Sequence, residues 1–142
     1  MGIIKADELG QDYEDRPADE GEYELRIAKA EYKANKAETG HLIALMLTVE
    51  GQEGVSPINH WLSEPKDDDK PTSRRFKMRE IKRFAQAFGI DISDGFPYFD
   101  ENEAPHLAGS TAKVFLKKEE TQDADGNKTG EFRNVMRLPK VD

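Results

Sequence analysis

Apolar residues in this chain recur at every second position, switch once to helical spacing, and then return to alternation. That order constrains the fold more than any motif does, because period two builds strands and period 3.6 builds helices. In residues 22–33, EYELRIAKAEYK, Tyr23, Leu25 and Ile27 alternate with Glu22, Glu24 and Arg26. The phase then slips, and Ala28, Ala30 and Tyr32 carry on in the other register, so a bulge or sharp bend is expected near Ala28. Residues 41–50, HLIALMLTVE, form a second strand with Ile43, Leu45, Leu47 and Val49 on one face. Residues 56–63, SPINHWLS, form a third, with Ile58, His60 and Leu62 opposite Asn59, Trp61 and Ser63. From Arg74 to Phe88 the spacing is helical: Met78, Ile81, Phe84, Ala85 and Phe88 make one stripe, Thr72 or Ser73 is placed to cap it, and Gly89 to stop it. After a long Asp-, Gly- and Pro-containing connection over residues 90–109, expected to pack partly on the strands, alternation resumes in 110–119 and 130–138 around the turn Asp123-Ala-Asp-Gly-Asn-Lys.

Three strands, a helix and two strands is the element order of a five-stranded OB-like barrel, an all-β class with one α-helix between strands three and four. The length of 142 residues suits one such domain over residues 21–142, preceded by an acidic arm over 1–20 that contains Pro17 and shows no sustained period. That arm is expected to be loosely held. The absence of cysteine excludes disulfides, thiolate zinc sites and cysteine nucleophiles. No signal-like apolar run opens the chain, no 18-residue apolar stretch occurs, and Ala6 stands where a myristoylation signal needs Ser or Thr. Enzymatic signatures are weak. His41, His60 and His106 share no ligand spacing, an EF-hand register over Asp123 and Asp125 would put Phe132 at the position of the bidentate Glu, and Asp91, Asp94, Asp100, Glu101 and Glu103 have no matching Lys. Neither catalysis nor a metal or cofactor is expected.

The formal net charge of −8 argues against a nucleic-acid ligand, but the charges are segregated. Acids gather in residues 7–24, 67–69 and 91–103, whereas bases gather in 26–36, 74–83, 113–118 and 133–140. Alternation places Lys113, Phe115 and Lys117 on one face of strand four, beside Arg133 and Arg137 of strand five. Cations meet phosphates and an exposed ring stacks on a base, so this row suits single-stranded DNA; alternatively, the connection over 90–109 covers Phe115. Trp61 points away from the interior, as a stacking platform or covered by the helix or the arm. Lys29, Tyr32 and Lys33 line the end of strand one. The basic helix face of Arg75, Arg79, Lys82 and Arg83 lies opposite the apolar stripe, and this helix is expected to close the barrel's end, away from the groove.

GEYELRIAKAEYKANKAETG with the long apolar strand that follows, the helix REIKRFAQAFGI, and the closing GSTAKVFLKKEE…GNKTGEFRNVMRLP together resemble a family of bacteriophage-encoded single-stranded DNA-binding proteins of OB-fold type. The resemblance covers most of the chain after residue 20. It implies sequence-tolerant binding of single strands during phage DNA replication and recombination, in the host cytoplasm, with no catalysis and with replication or recombination proteins as further partners. Monomer or homodimer stays open, and no membrane association is implied. The chain departs from the pattern at its end: RLPKVD is not the acidic, aromatic-tipped tail through which many single-strand binders recruit partners. The acidic arm stands in for that tail or shields the groove by mimicking phosphate charge. The alternative is an acidic protein-interaction module that recruits or inhibits a host or phage protein.

Overall fold

A computed structural model describes residues 2–11 and 14–140. Its elements are α1 (Ala6–Leu9), β1 (Gly21–Ala34), β2 (His41–Val49), β3 (Ile58–Ser63), α2 (Pro71–Ala87), a 3₁₀ turn (Ala104–Leu107), β4 (Thr111–Gln122) and β5 (Lys128–Arg137). The five strands form one antiparallel sheet in the order β3-β2-β1-β4-β5. Its two edges, β3 and β5, lie beside one another, but no hydrogen-bonded ladder joins them.

β1 organises this sheet because it is long and bent. Its first half pairs with β4, from Gly21↔Leu116 to Arg26↔Thr111, and its second half pairs with β2, through Ala34↔His41. The register on β2 shifts between Ile27 and Lys29, leaving Ala28 as the extra residue, as the slipped alternation predicts. The bulge keeps the apolar set inward on both sides: Leu25 and Ile27 before it and Ala30 after it are buried.

The core collects the inward residues of every strand. Ile43, Leu45, Leu47 and Val49 come from β2, Ile58 and Leu62 from β3, and Ala112, Val114 and Leu116 from β4. α2 adds Phe84, Phe88 follows at its C-terminal cap, and the connection over 90–109 contributes Ala104 and Leu107, with Phe96, Tyr98 and Phe99 packed half-buried around them. Phe84 and Leu107 are each sealed from solvent, and a side chain of that size gains about 1.5–3 kcal/mol from full burial.

α2 begins earlier than its capping residues predict. Lys70 occupies the cap position without a side-chain hydrogen bond, and Pro71 opens the first turn, where its missing N–H costs nothing. Thr72 and Ser73 therefore lie inside the helix. Its end follows prediction: Gly89, at φ +66°, lets the Ile90 N–H reach back to the Ala85 carbonyl at 2.8 Å. Of the expected stripe, Ile81, Phe84, Ala85 and Phe88 are buried, but Met78 is 45% exposed. No described helix is long and apolar enough to cross a membrane.

The arm is tied down from Arg16 onward, contrary to the expectation of a loose tail. Arg16 bridges to Val55 in parallel, with the Arg16 N–H on the Gly54 carbonyl at 2.8 Å and the Ser56 N–H on the Arg16 carbonyl at 2.9 Å. Ala18 is buried in the core cluster. The carboxamide of Asn134, the buried polar residue of β5, receives the Ala18 N–H at 2.7 Å and donates to the Ala18 carbonyl at 2.9 Å and the Lys117 carbonyl at 3.2 Å. The arm thus spans the place where the two sheet edges meet. Its acids Asp19 and Glu20 engage Lys118, through an ion pair at 3.7 Å and a bond from the Lys118 N–H at 3.1 Å, rather than the row of Lys113 and Lys117.

Candidate nucleic-acid interface

Strand register decides which predicted residues share a surface. β4 pairs with β5 through Phe115↔Arg137, Lys117↔Val135 and Glu119↔Arg133, so these six residues stand on one face. The opposite face carries Leu116, Asn134 and Met136, all buried, which turns the first set outward. Eight of the nine predicted site residues, Lys29, Lys33, Trp61, Lys113, Phe115, Lys117, Arg133 and Arg137, are exposed on the outer side of the sheet.

At one end of the surface, Trp61 is 50% exposed. It sits across β2 from Ala44, a side chain too small to cover the indole. A narrow cleft of about 70 Å³ runs along the line where β3 meets β5, lined by Pro57, Asn59, Trp61, Arg133, Asn134 and Val135. The indole and the Arg133 guanidinium therefore border one site, although they belong to opposite edges of the sheet.

At the other end, Phe115 is 37% exposed and lies in a recess of about 660 Å³. Lys113, Arg137, Arg83 and Lys140 surround it, with Glu22, Leu138 and Pro139. The connection over 90–109 does not cover the ring. Glu22 ion-pairs with Lys113 at 3.5 Å, both side chains being well exposed. In water that exposed pair is worth only ~0–1 kcal/mol, and a phosphate can displace the carboxylate at little cost.

Lys29 and Lys33 are exposed and lie on the outer face of β1 beyond the bulge, in rows that run through Met46 to Asn59 and through Leu42 to Ser63. Tyr32 does not join them. It pairs with Ile43, whose partner is Leu62, and both are buried, so the ring lies on the core side. It stacks on His41 at 5.0 Å and 9°, meets Phe99 edge-on at 6.4 Å, and its hydroxyl donates to Glu64 Oε1 at 2.9 Å. Desolvation, reinforced by the Glu64 hydrogen bond and charge, pushes that hydroxyl up to about 12. Tyr32 therefore stands apart from the outer row, on the core side, with His41 stacked on one face of its ring.

Two features of the surface escaped sequence reasoning. Phe132 shares its strand phase with Asn134 and Met136 and so reads as core, yet it is 47% exposed because the β4–β5 hairpin runs on past the core. Lys118 Nζ stands 5.9 Å from its ring centroid. Arg83 and Lys140 also reach the Phe115 recess, which corrects the expectation that α2 lies away from the candidate groove. Their arrival depends on how α2 and residues 138–140 fold back, and no local pattern announces it.

Among the described residues no three His, Asp or Glu side chains converge as metal ligands. His60 is isolated on β3, its Nε2 buried without a partner, and burial lowers its pKa to about 4. The ring is therefore neutral at physiological pH. Compared with known proteins, the chain matches no protein family and no curated protein.

Proposed function

We propose that this protein binds single-stranded DNA with little sequence preference, on the outer face of an OB-like barrel whose edges β3 and β5 close upon one another. The observation that carries this reading is the pairing of exposed rings with cations along one surface: Trp61 beside Arg133, and Phe115 among Lys113, Arg137, Arg83 and Lys140. A ring half open to water suits stacking on an unpaired base, at about 1–3 kcal/mol per base, and stacking tolerates any sequence because every base has a π-face. The cations would take the phosphates between, with Lys117, Lys29 and Lys33 extending the row. The resemblance to phage single-strand binders supports a role in DNA replication or recombination, with single-stranded DNA as the principal partner.

The chain carries one tryptophan, so the test reports directly on the site. Poly-dT added at low salt is expected to quench Trp61 fluorescence, duplex DNA to compete poorly, and affinity to fall as salt rises through release of counterions. Absence of quenching and of binding at low salt would sink the reading and leave the acidic protein-interaction module in its place.

A further inference from the structure

The basic face of α2 forms a groove of about 730 Å³, lined by Arg74, Arg75, Arg79, Lys82, Arg83 and Lys140, with Pro71 and Met78 between them. Very little of this charge is compensated. Glu80 stands 3.6 Å from Arg83, and Arg74 donates to the Lys66 carbonyl at 3.0 Å. Among the described residues no carboxylate lies within ion-pair distance of Arg75, Arg79, Lys82 or Lys140. The Arg83 Nε is buried without a hydrogen-bond partner. Like charges held together repel, and in a chain of net charge −8 there is no shortage of carboxylates to quench them. A groove that keeps its cations free is built for an anion from outside.

The position of the groove identifies the anion. It shares Arg83 and Lys140 with the recess around Phe115, so the two depressions adjoin. We propose that the α2 groove carries the phosphodiester backbone of the same single strand after it leaves Phe115, passing over residues 138–140 onto the helix. This rests on the single-strand reading above. The chemistry divides along the path. The outer sheet face offers rings to bases, whereas among the residues lining the helix groove there is no aromatic side chain, only guanidinium and ammonium groups for phosphates. The groove then extends the binding site through phosphate contacts alone; Phe76, an exposed ring of α2, is not among its lining residues. An acidic polypeptide is the competing occupant for such a groove, but it gives no reason for adjacency to an exposed ring.

The test compares wild type with the triple variant Arg75→Gln, Arg79→Gln, Lys82→Gln, all three exposed and none in the Phe115 recess. Thermal unfolding first establishes that the variant folds, with stability equal to or above wild type because repulsion is relieved. Binding of dT oligomers is then followed by Trp61 fluorescence at several salt concentrations, with lengths of about 4 and about 16 nucleotides, the span of site sizes for one OB domain. For the long oligomer, loss of three phosphate contacts is expected to flatten the log K against log salt slope by about 2, so that over a fourfold rise in salt the wild type loses about 20-fold more affinity than the variant. The short oligomer, reaching only the sheet face, is expected to bind both proteins alike. Equal slopes for the long oligomer would overturn the path over α2 while leaving single-strand binding intact. Equal weakening of both lengths would also overturn it, in favour of a diffuse field. Unchanged dT binding with loss of poly-glutamate binding would assign the groove to an acidic protein. Failure of wild type to bind either oligomer would remove the parent reading itself.

Discussion

Replacing Asn134 by Ala should loosen the N-terminal arm and destabilise the whole domain. Three hydrogen bonds meet at this carboxamide: the Ala18 N–H at 2.7 Å, the Ala18 carbonyl at 2.9 Å and the Lys117 carbonyl at 3.2 Å. Asn134 is 7% exposed and Ala18 6%, so water does not readily replace the lost partner. A hydrogen bond contributes about 1 kcal/mol net, but a buried group left unpaired costs about 1–3 kcal/mol. The Ala18 N–H and carbonyl are both stranded by the substitution, and the expected loss is roughly 2–4 kcal/mol after partial relaxation of the arm. For a chain of this length that is a fall in Tm of roughly 6–15 °C.

Urea unfolding and amide exchange measure the two halves of this prediction, global stability and protection of the Ala18 amide. Truncation supplies the control. Removing residues 1–11, which are all exposed where described, should leave stability unchanged, whereas removing residues 1–20 should cost about as much as Asn134→Ala. Combining the longer truncation with Asn134→Ala should add little, because both remove one interaction. A loss below about 1 kcal/mol with Ala18 still protected would refute the view of the carboxamide as a clamp. The same series tests whether the arm's acids compete with DNA. Only the 1–11 truncation asks that question cleanly, since the longer one also opens the place where β3 meets β5.

Phe115→Ala is expected to cost about 1–3 kcal/mol of single-strand affinity, read by poly-dT titration, with little change in Tm because the ring is 37% exposed; retained affinity in a folded variant would remove Phe115 from the site. The half-buried His60, with its pKa lowered to about 4, should make stability fall with acidity: above the unfolded-state value of about 6.5 the ring is neutral in both states, and below it the unfolded chain takes up the proton first. The loss should reach about 2 kcal/mol at pH 5, and His60→Leu should abolish that part of the pH profile; an unchanged profile in the variant would show that other groups carry it.

How much of this was legible in the sequence follows from the range of each signal. Alternation is local, and it located all five strands and placed Lys113, Phe115, Lys117, Arg133 and Arg137 on one face. The slipped phase at Ala28 even revealed the bulge that lets β1 serve two neighbours. Period two, however, reports the side of a strand and not whether anything covers it. Phe132 shares the phase of buried Met136 and is exposed, because the hairpin outruns the core; Tyr32 occupies the core phase, and Glu64, His41 and Phe99, brought in from elsewhere, complete its surroundings. The start of α2 was misread because a capping side chain and a proline at the first turn are competing signals, and the proline governs. What no local pattern carries is contact between distant segments. Asn134 meets Ala18 across 116 positions, and Arg83 and Lys140 converge on Phe115 only once α2 and residues 138–140 are folded back. The candidate site is divided in the same way. Its exposed rings and neighbouring cations follow from strand periodicity, whereas the proposed extension onto α2 exists only in the tertiary arrangement, and mutations there should change the salt dependence of binding before any preference among bases.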